Sequence, residues 1–363
     1  MVCIAAFIIL LLVGIAALFI SIFNRDFGRK YLAALKKSFH CFWKRVRLQK
    51  CDTNFSDDVK TTILKKVVIK KPKLVKPLSI GLEIASALLV ILTAWSILEA
   101  AKAGFALWVF GTCNVSQPSN CALGAESCSI DENNLNWFTE WGEIFSNIPD
   151  RVRTWDAAEY VNTGSETDTS GDSSTPSASA KLSPIFTIGS GSEVALEIID
   201  PGCSVCLQSY KNIIDDANFL TKHTVYFVAY PIKNPNGEYR FKNSELITRY
   251  LIATSGLTVG DESAPVSEKI LRRIFTEYNA DGVIYQSLFN NDLGRDEATA
   301  LLDSWLIGWG ITGDALENVK TETYSETVEV TLRTDAEVIT SKIKPKGIPT
   351  MIYDGRKHLG LYK

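Results

Sequence analysis

Residues 194–206 read Val-Ala-Leu-Glu-Ile-Ile-Asp-Pro-Gly-Cys-Ser-Val-Cys. A short apolar run that carries one acid, Glu197, breaks at Pro201-Gly202, and two cysteines three positions apart follow it. A helical pattern of apolar residues begins directly afterwards, at Leu207. The stretch therefore predicts a strand, a turn and a helix that carries a dithiol at its start.

The two cysteines are placed for thiol–disulfide exchange. Cys203 is expected at the helix N-terminus, where unpaired backbone N–H groups and the positive end of the helix dipole favour a thiolate. Cys206, one turn further along, is placed to attack a mixed disulfide formed on Cys203. Half of a zinc site has the same spacing, but zinc needs two more ligands, and only His223 and His358 follow Cys206. No metal is expected.

The net charge of −3 hides a strong asymmetry along the chain. Residues 25–76 contain 16 Lys and Arg against four acids, a net charge of +12. Such a block can indicate nucleic-acid binding, but it lies between two apolar stretches, Ile4–Phe23 and Leu78–Leu98, the second interrupted only by Glu83. Each has about the 20 residues needed to cross a bilayer. A basic segment between two spans predicts a cytoplasmic loop, and no nucleic-acid partner is expected.

The first apolar stretch has the charge order of a retained anchor. No basic residue precedes it, and Arg25, Arg29 and Lys30 follow it, which is the reverse of an export signal. Everything after the second span is then expected outside the cytoplasm. The predicted organisation is transmembrane helix 1 at 1–23, a basic cytoplasmic segment at 24–77, transmembrane helix 2 with an outer interfacial extension at 78–110, a Cys- and Trp-containing extracytoplasmic segment at 111–162, a disordered Ser/Thr/Gly-rich linker at 163–183, and an α/β domain at 184–363.

The remaining cysteines fit this topology, because disulfides persist outside the cytoplasm. Two structural disulfides are hypothesised there, Cys3 with Cys113 and Cys121 with Cys128. Cys41 and Cys51 fall in the predicted cytoplasmic segment, where reduced thiols are the simpler interpretation and a metal-binding or regulatory role is the alternative.

Two segments precede the α/β domain. Residues 111–162 are rich in Trp and Phe, which indicates either a small subdomain or an amphipathic helix packed on the membrane or on the next domain. An aromatic binding platform is the alternative. Residues 163–183 lack the apolar content to fold and are interpreted as a tether that lets the following domain reach substrates near the membrane.

The α/β domain is predicted as a β–α–β half, a helical block at about 242–342, and a β-hairpin. The predicted strands are 185–188, 193–199, 224–231, 347–353 and 358–362, and the predicted helices after the dithiol helix are 244–254, 265–278, 295–308 and 326–341. The turn Asp354-Gly355 between two β-rich runs is typical of a hairpin.

The order of these elements, the CxxC and the segment Gly347-Ile348-Pro349-Thr350 together resemble the thioredoxin fold, and specifically its DsbA-like branch with a helical domain inserted between the two halves. The resemblance covers residues 184–363, about half of the chain, and none of the predicted spans. It implies that Cys203 is the nucleophile and Cys206 the resolving cysteine. It also implies that Pro349 is a cis-proline beside the dithiol, where Ile348 and Thr350 would meet an extended client.

Glu197 falls where this family places a buried acid. Among apolar neighbours its pKa is expected to be raised, so that it can accept the proton of Cys206, whereas an ordinary strand acid facing solvent is the alternative. Ser204-Val205 departs from the family, since it lacks the Pro or His of strongly oxidising members; this predicts a less stabilised Cys203 thiolate and a less oxidising dithiol. The chain also ends at the last predicted strand, without the terminal helix common in the fold.

These features together predict a membrane-anchored, extracytoplasmic thiol–disulfide oxidoreductase that acts on cysteine-containing secreted or surface proteins. Disulfide donation is the favoured direction, because the outer compartment is oxidising. The expected partners are protein clients, the lipid bilayer and a membrane or soluble redox partner that resets the dithiol; no cofactor is expected. Two alternatives stay open: a reductase or isomerase of wrong disulfides, and a non-enzymatic anchored module in which a Cys203–Cys206 bridge is only structural.

Overall fold

A five-stranded sheet is the centre of the larger of the two units into which the chain divides, Met1–Ala101 and Lys102–Lys363. The computed structural model describes residues 75–118, 126–130, 135–163, 180–260 and 263–362, together with scattered single residues between 33 and 47. The first predicted span and four cysteines lie outside the described residues: Cys3, Cys41, Cys51 and Cys121.

The helices are α1 Val75–Phe110, α2 Trp137–Ser146, α3 Ile148–Val152, α4 Ser204–Asp215, α5 Ala217–Lys222, α6 Ser244–Ala253, α7 Val266–Thr276, α8 Tyr285–Ser287, α9 Arg295–Gly308, α10 Asp314–Thr323 and α11 Glu326–Val338. The strands are β1 Cys128–Ser129, β2 Phe186–Ile188, β3 Glu193–Ile199, β4 His223–Ala229, β5 Gly347–Ile348, β6 Thr350–Tyr353 and β7 Arg356–Leu359. Two π-helical turns, Leu288–Asp292 and Ile339–Ile343, and a 3-10 turn, Ala157–Glu159, complete the described elements.

The strands of the main sheet lie in the order β2-β4-β3-β6-β7. The central strand β3 pairs in parallel with β4 and antiparallel with β6. Its residues from Ala195 to Ile199 are fully buried, which explains why this strand is a nearly continuous apolar run rather than an alternating one. At the sheet edge, β6 and β7 form the predicted hairpin, and Asp354 and Gly355 both have positive φ, as a two-residue type I′ turn requires.

The helical block lies between β4 and β5, as predicted. The four predicted helices are present with ends that differ by a few residues, and α7 buries one face through Ile270, Leu271 and Ile274. Helix α10 was not predicted. Only two of its apolar side chains, Leu316 and Val319, are buried, so its ten residues carry little periodic signal.

Helix α1 contains the second predicted span, Leu78–Leu98, and its predicted extension to Phe110. Among the described residues it is the one helix long and apolar enough to cross a bilayer, with a mean hydropathy of 2.0 over its most apolar window. A single helix of this kind is weak support for a membrane protein, since length and composition alone define it. The described part of the chain therefore offers one candidate span rather than the predicted two.

The segment before the sheet is packed on it. Val161 forms a parallel bridge with Leu182, and the Leu182 N–H donates to Tyr160 O at 2.7 Å. Val161 and Leu182 are fully buried, and Trp155 is nearly so. The two described ends of the predicted tether thus lie side by side, whereas residues 164–179 lie outside the described residues, so the tether stays a prediction.

Helix α2 packs on the last turns of α1, residues 102–110, which belong to the same unit as α2. Ala106, Val115 and Ile144 form a small buried cluster, and Lys102 pairs with Glu140 at 2.6 Å. This Trp-rich segment thus contains a helix that buries one side, as the amphipathic-helix interpretation predicted, and that leaves Phe138 80% exposed.

Candidate thiol–disulfide exchange site

Cys203 caps the N-terminus of α4, as the sequence predicted. The preceding turn is tight: the Cys203 N–H donates to Asp200 O at 3.0 Å, and a Cβ on Gly202 would lie 2.3 Å from Cβ of Phe241. A glycine is therefore needed at 202 for the turn to fit against Phe241. The sulfur of Cys203 follows directly, and the residue is fully buried.

Two amide side chains of the helical block hold this turn from outside. Gln286 Nε2 donates to Pro201 O at 2.8 Å and to Cys203 O at 3.0 Å. Asn290 Nδ2 donates to Gly202 O at 2.7 Å. Sequence reasoning missed both residues, because nothing in the sequence distinguishes these two amide side chains from solvent-exposed Gln and Asn side chains of a helical block.

Cys203 is in a disulfide with Cys128, 75 residues earlier in the chain, with a Cα–Cα distance of 6.3 Å. The predicted pairing of Cys121 with Cys128 is therefore wrong, and Cys203 is not bridged to Cys206, whose thiol is free and buried. Cys113 is also disulfide-bonded, to a partner outside the described residues. Connectivity of this kind depends on which strands pair, and spacing along the sequence does not specify it.

The segment that carries Cys128 is the strand β1, which lies antiparallel on β5. Cys128 is opposite Ile348 and Ser129 is opposite Gly347. On its other side, Arg240 Nη1 donates to Ser129 O at 2.6 Å. A Cβ on Gly347 would lie 2.7 Å from Ser127 Oγ and 2.9 Å from Cys128 O. The absence of a side chain at 347 thus lets β1 approach closely.

The peptide bond between Ile348 and Pro349 is cis, as the resemblance implied. Ile348 O lies 3.7 Å from Cys203 Sγ, so this loop lies beside the dithiol. Of the two predicted client-contacting residues, Ile348 is opposite Cys128, whereas the Thr350 hydroxyl donates to Gly347 O at 2.7 Å within its own loop. Thr350 is buried, and its backbone is in register with Ile198 of β3 and Leu359 of β7.

Cys206 lies one turn into α4 and is fully buried. Its sulfur accepts a hydrogen bond from the Asp200 N–H at 3.3 Å. Burial raises the pKa of this thiol, and the neighbouring charges of Asp200 and Glu197 raise it further. A thiol in this position needs a proton acceptor before it can attack a disulfide.

Glu197 lies in the middle of β3, and its charge is one of the causes of the raised pKa of Cys206. It is fully buried, its Oε1 accepts from the Ser209 hydroxyl at 2.9 Å, and its Oε2 has no hydrogen-bond partner among the described residues. Desolvation raises its pKa to about 8, which the one hydrogen bond from Ser209 only partly offsets. The expectation of a buried acid with a raised pKa is confirmed, and the solvent-facing alternative is wrong.

Asp200 is a second buried acid that sequence reasoning missed, since an Asp before Pro-Gly also suits an ordinary turn. Burial raises its pKa to about 6. Three donors oppose this shift: the N–H groups of Ile232 and Gly202, each at 2.7 Å, and the hydroxyl of Ser244. Its carboxylate thus fixes the turn, while its backbone N–H contacts Cys206.

One other cluster has the composition of a metal site. Ligand atoms of Glu193, His223 and Asp354 lie within 4.8 Å of one another, at the end of β3 opposite to the dithiol. Lys222 Nζ lies 2.6 Å from the Asp354 carboxylate and 3.5 Å from that of Glu193. A cation of the chain thus already pairs with both acids, and the cluster gives no support for a bound metal.

The strand order, the dithiol at the start of α4 and the cis-proline beside it define a thioredoxin-like α/β domain with an inserted helical block. No protein-family model matches the chain, and no curated protein matches it.

Solved structures similar to this chain include three from bacteria. A thioredoxin-like oxidoreductase from Silicibacter pomeroyi DSS-3 is 12% identical, with a TM-score of 0.32 over 49% of this chain and 84% of that one. The thiol-disulfide exchange protein alpha-DsbA2 from Wolbachia pipientis is 15% identical, with a TM-score of 0.33 over 49% of this chain and 80% of that one. DsbA from Chlamydia trachomatis is 12% identical, with a TM-score of 0.30 over 52% of this chain and 89% of that one.

Proposed function

We propose that this chain is a membrane-anchored, extracytoplasmic thiol–disulfide oxidoreductase that donates disulfides to cysteine-containing secreted or surface proteins. The observation that carries the proposal is the arrangement of α4: Cys203 is in a disulfide at the helix start, and one turn further along lies the free thiol of Cys206. The buried acid Glu197 is close enough to raise the pKa of that thiol.

Donation begins from the dithiol in its oxidised form, with Cys203 bonded to Cys206. A client thiolate attacks Cys203 Sγ, a client–Cys203 disulfide forms, and Cys206 leaves as a thiolate. With a pKa of about 8, Glu197 is mainly protonated at neutral pH and can give its proton to that leaving thiolate. A second client thiolate then attacks the client sulfur and releases Cys203, which leaves the client oxidised and the dithiol reduced.

The loop at Ile348 and Pro349 has the position needed to align the client. Its backbone is in antiparallel pairing with β1, which demonstrates that an extended segment with a cysteine fits beside Cys203. A client segment would use the same edge, since backbone pairing is independent of side-chain identity. A redox partner in the membrane or in solution would reoxidise the dithiol.

Two alternatives differ in what they require. A reductase or isomerase would use the same residues in the opposite direction and would need an electron donor. The non-enzymatic module required a structural Cys203–Cys206 bridge, whereas Cys203 is bonded to Cys128.

The direct test uses the full-length chain in detergent with a reduced two-cysteine peptide in an oxidising glutathione buffer. We expect the wild-type protein to accelerate disulfide formation in the peptide and Cys203→Ser to lose this activity. Ser190→Ala is the control, because it alters an exposed hydroxyl group in the loop before β3 and removes no thiol. A wild-type rate equal to that of Cys203→Ser would overturn the proposal.

The proposed location rests on α1 and on the basic segment at 25–76. Protease added to intact cells is expected to cleave the α/β domain and to spare the basic segment. Protection of the domain until the membrane is broken would contradict the extracytoplasmic placement.

A further inference from the structure

Strand β1 occupies the position beside the dithiol that the proposed mechanism assigns to a client. Cys128 is bonded to Cys203, and the backbone around it is paired with β5. Together these two contacts are those of a mixed disulfide between Cys203 and an extended client. Here the segment comes from the same chain, so the site is covered by its own strand and Cys203 has no exposed surface.

Besides the disulfide, noncovalent contacts hold the segment around β1 to the domain. The strand has two residues and a single partner strand. Around it, the Ile130 N–H donates to Lys346 O at 3.2 Å, the Leu361 N–H donates to Glu126 O at 3.0 Å, and Arg240 donates to Ser129 O. Ile130 is also buried in the main core. The hydroxyl of Ser127 is buried without a hydrogen-bond partner among the described residues. Burying this unpaired group destabilises the state in which β1 is paired with β5. The disulfide differs from these contacts because thiol–disulfide exchange can break it.

We propose that Cys128 is a third redox-active cysteine of the exchange site, which covers Cys203 at rest and is displaced by Cys206. This inference rests on the proposed function and adds a residue to it. Cys128 is partly exposed, whereas Cys203 and Cys206 are buried, so the proposed displacement moves a reactive thiol from the interior to the surface.

The step is an internal disulfide exchange that needs no external oxidant or reductant. The Cys206 thiol gives its proton to Glu197 in those molecules in which this carboxyl is ionised, or to water, and the resulting thiolate attacks Cys203 Sγ. The Cys203–Cys206 bond forms as the Cys128–Cys203 bond breaks, and Cys128 leaves as a thiolate that takes up a proton. The number of disulfides stays the same, and β1 is then held to β5 by noncovalent contacts alone.

The same arrangement makes Cys128 a competitor of clients. A thiol on the same chain acts at an effective concentration on the order of millimolar. A client at about 10 μM would then form a mixed disulfide roughly a hundredfold more slowly than it would without Cys128.

The first experiment uses the oxidised full-length chain in detergent with an alkylating reagent and no redox buffer. Acid quenching and peptide mapping then identify the alkylated and bonded cysteines. For the wild type we expect alkylation of Cys128 together with a new Cys203–Cys206 bond. In Cys206→Ser we expect Cys128 to stay bonded to Cys203. If Cys128 is never alkylated in the folded wild type, the inference is overturned.

The second experiment measures how fast Cys203 forms a mixed disulfide with a cysteine peptide in the wild type and in Cys128→Ser. We expect Cys128→Ser to react about a hundredfold faster, and Cys113→Ser, which removes another disulfide, to react like the wild type. Equal rates in wild type and Cys128→Ser would overturn the inference and leave the proposed function intact. If Cys128→Ser does not react at all, the proposed function fails as well.

Discussion

Glu197 lies in the middle of β3 beneath α4, with one carboxylate oxygen bonded to Ser209 and the other without a partner among the described residues. Ser209 Oγ also accepts from the Tyr362 N–H at 3.3 Å, so the end of the chain closes over this acid. A carboxyl group so enclosed is costly to ionise, which makes it a proton store next to Cys206.

This enclosure gives Glu197 a defined effect on stability. Its pKa rises from about 4.3 in the unfolded chain to about 8 in the folded protein, so the folded state binds the extra proton between these values. Its contribution to the free energy of unfolding is full below pH 4 and is lost as the pH rises to 8. From pH 5 to pH 8 we expect the wild type to lose a few kcal/mol relative to Glu197→Gln.

Urea unfolding at pH 5, 6.5 and 8 measures this difference. Glu193→Gln, at the exposed start of the same strand, is the control and should follow the wild type. If the wild type and Glu197→Gln change in parallel with pH, Glu197 is ionised in the folded state and the proton-transfer role loses its basis.

Gly347 provides a second test at the residue scale. A methyl group at this position would collide with Ser127 Oγ and Cys128 O, so Gly347→Ala should push β1 off β5. We expect a smaller fraction of Cys128–Cys203 bonds and a larger fraction of Cys203–Cys206 bonds by peptide mapping. Gly142→Ala is the control, because an added Cβ there meets no atom within 4 Å. An unchanged distribution of bonds would mean that β1 tolerates the methyl group.

At the scale of elements, the turn before α4 depends on the helical block. Gln286 donates to two carbonyls of the turn and Asn290 to a third, so the inserted helices position the dithiol as well as adding to the core. The Cys203 carbonyl also accepts from the Leu207 N–H at 3.2 Å, so Gln286 adds a second donor there.

Gln286→Ala should leave the carbonyl groups of Pro201 and Cys203 without these buried donors. We expect a loss of about 1–3 kcal/mol in the free energy of unfolding, measured by urea titration. Asn291→Ala in the same region is the control, since Asn291 is exposed and bonds only to Ser287 in the described hydrogen bonds. Equal stabilities of the two variants would show that water replaces Gln286 at the turn.

On the scale of the whole molecule, the Cys128–Cys203 bond joins the segment before the sheet to the exchange site. It closes a loop of 75 residues, which in the chain-entropy account stabilises the folded state by about 4 kcal/mol. Val161 and Leu182 close the same region by backbone pairing. The segment at 126–162 is thus part of the domain rather than a separate unit.

The contribution of this bond can be measured without disulfide rearrangement in a Cys206→Ser background. We expect Cys206→Ser to be about 4 kcal/mol more stable than Cys128→Ser/Cys206→Ser under non-reducing conditions, measured by guanidinium unfolding. A difference below about 1 kcal/mol would indicate that residual structure in the unfolded chain already restricts the loop.

The sequence by itself determined the strand β3, the two cysteines at the start of α4 and the closing hairpin, whereas the cis-proline loop and the buried acid Glu197 were implied by the resemblance to the DsbA-like branch. The strand, the helix start and the hairpin follow from residues close together in the chain: an apolar run around one acid, a Pro-Gly break, and Asp-Gly between β-rich stretches. The tertiary structure alone decided that Cys128 bonds to Cys203, that Gln286 and Asn290 hold the turn, and that the ends of segment 163–183 meet. These contacts join residues many positions apart, and they form only where the packed sheet and helical block bring their atoms within bonding distance.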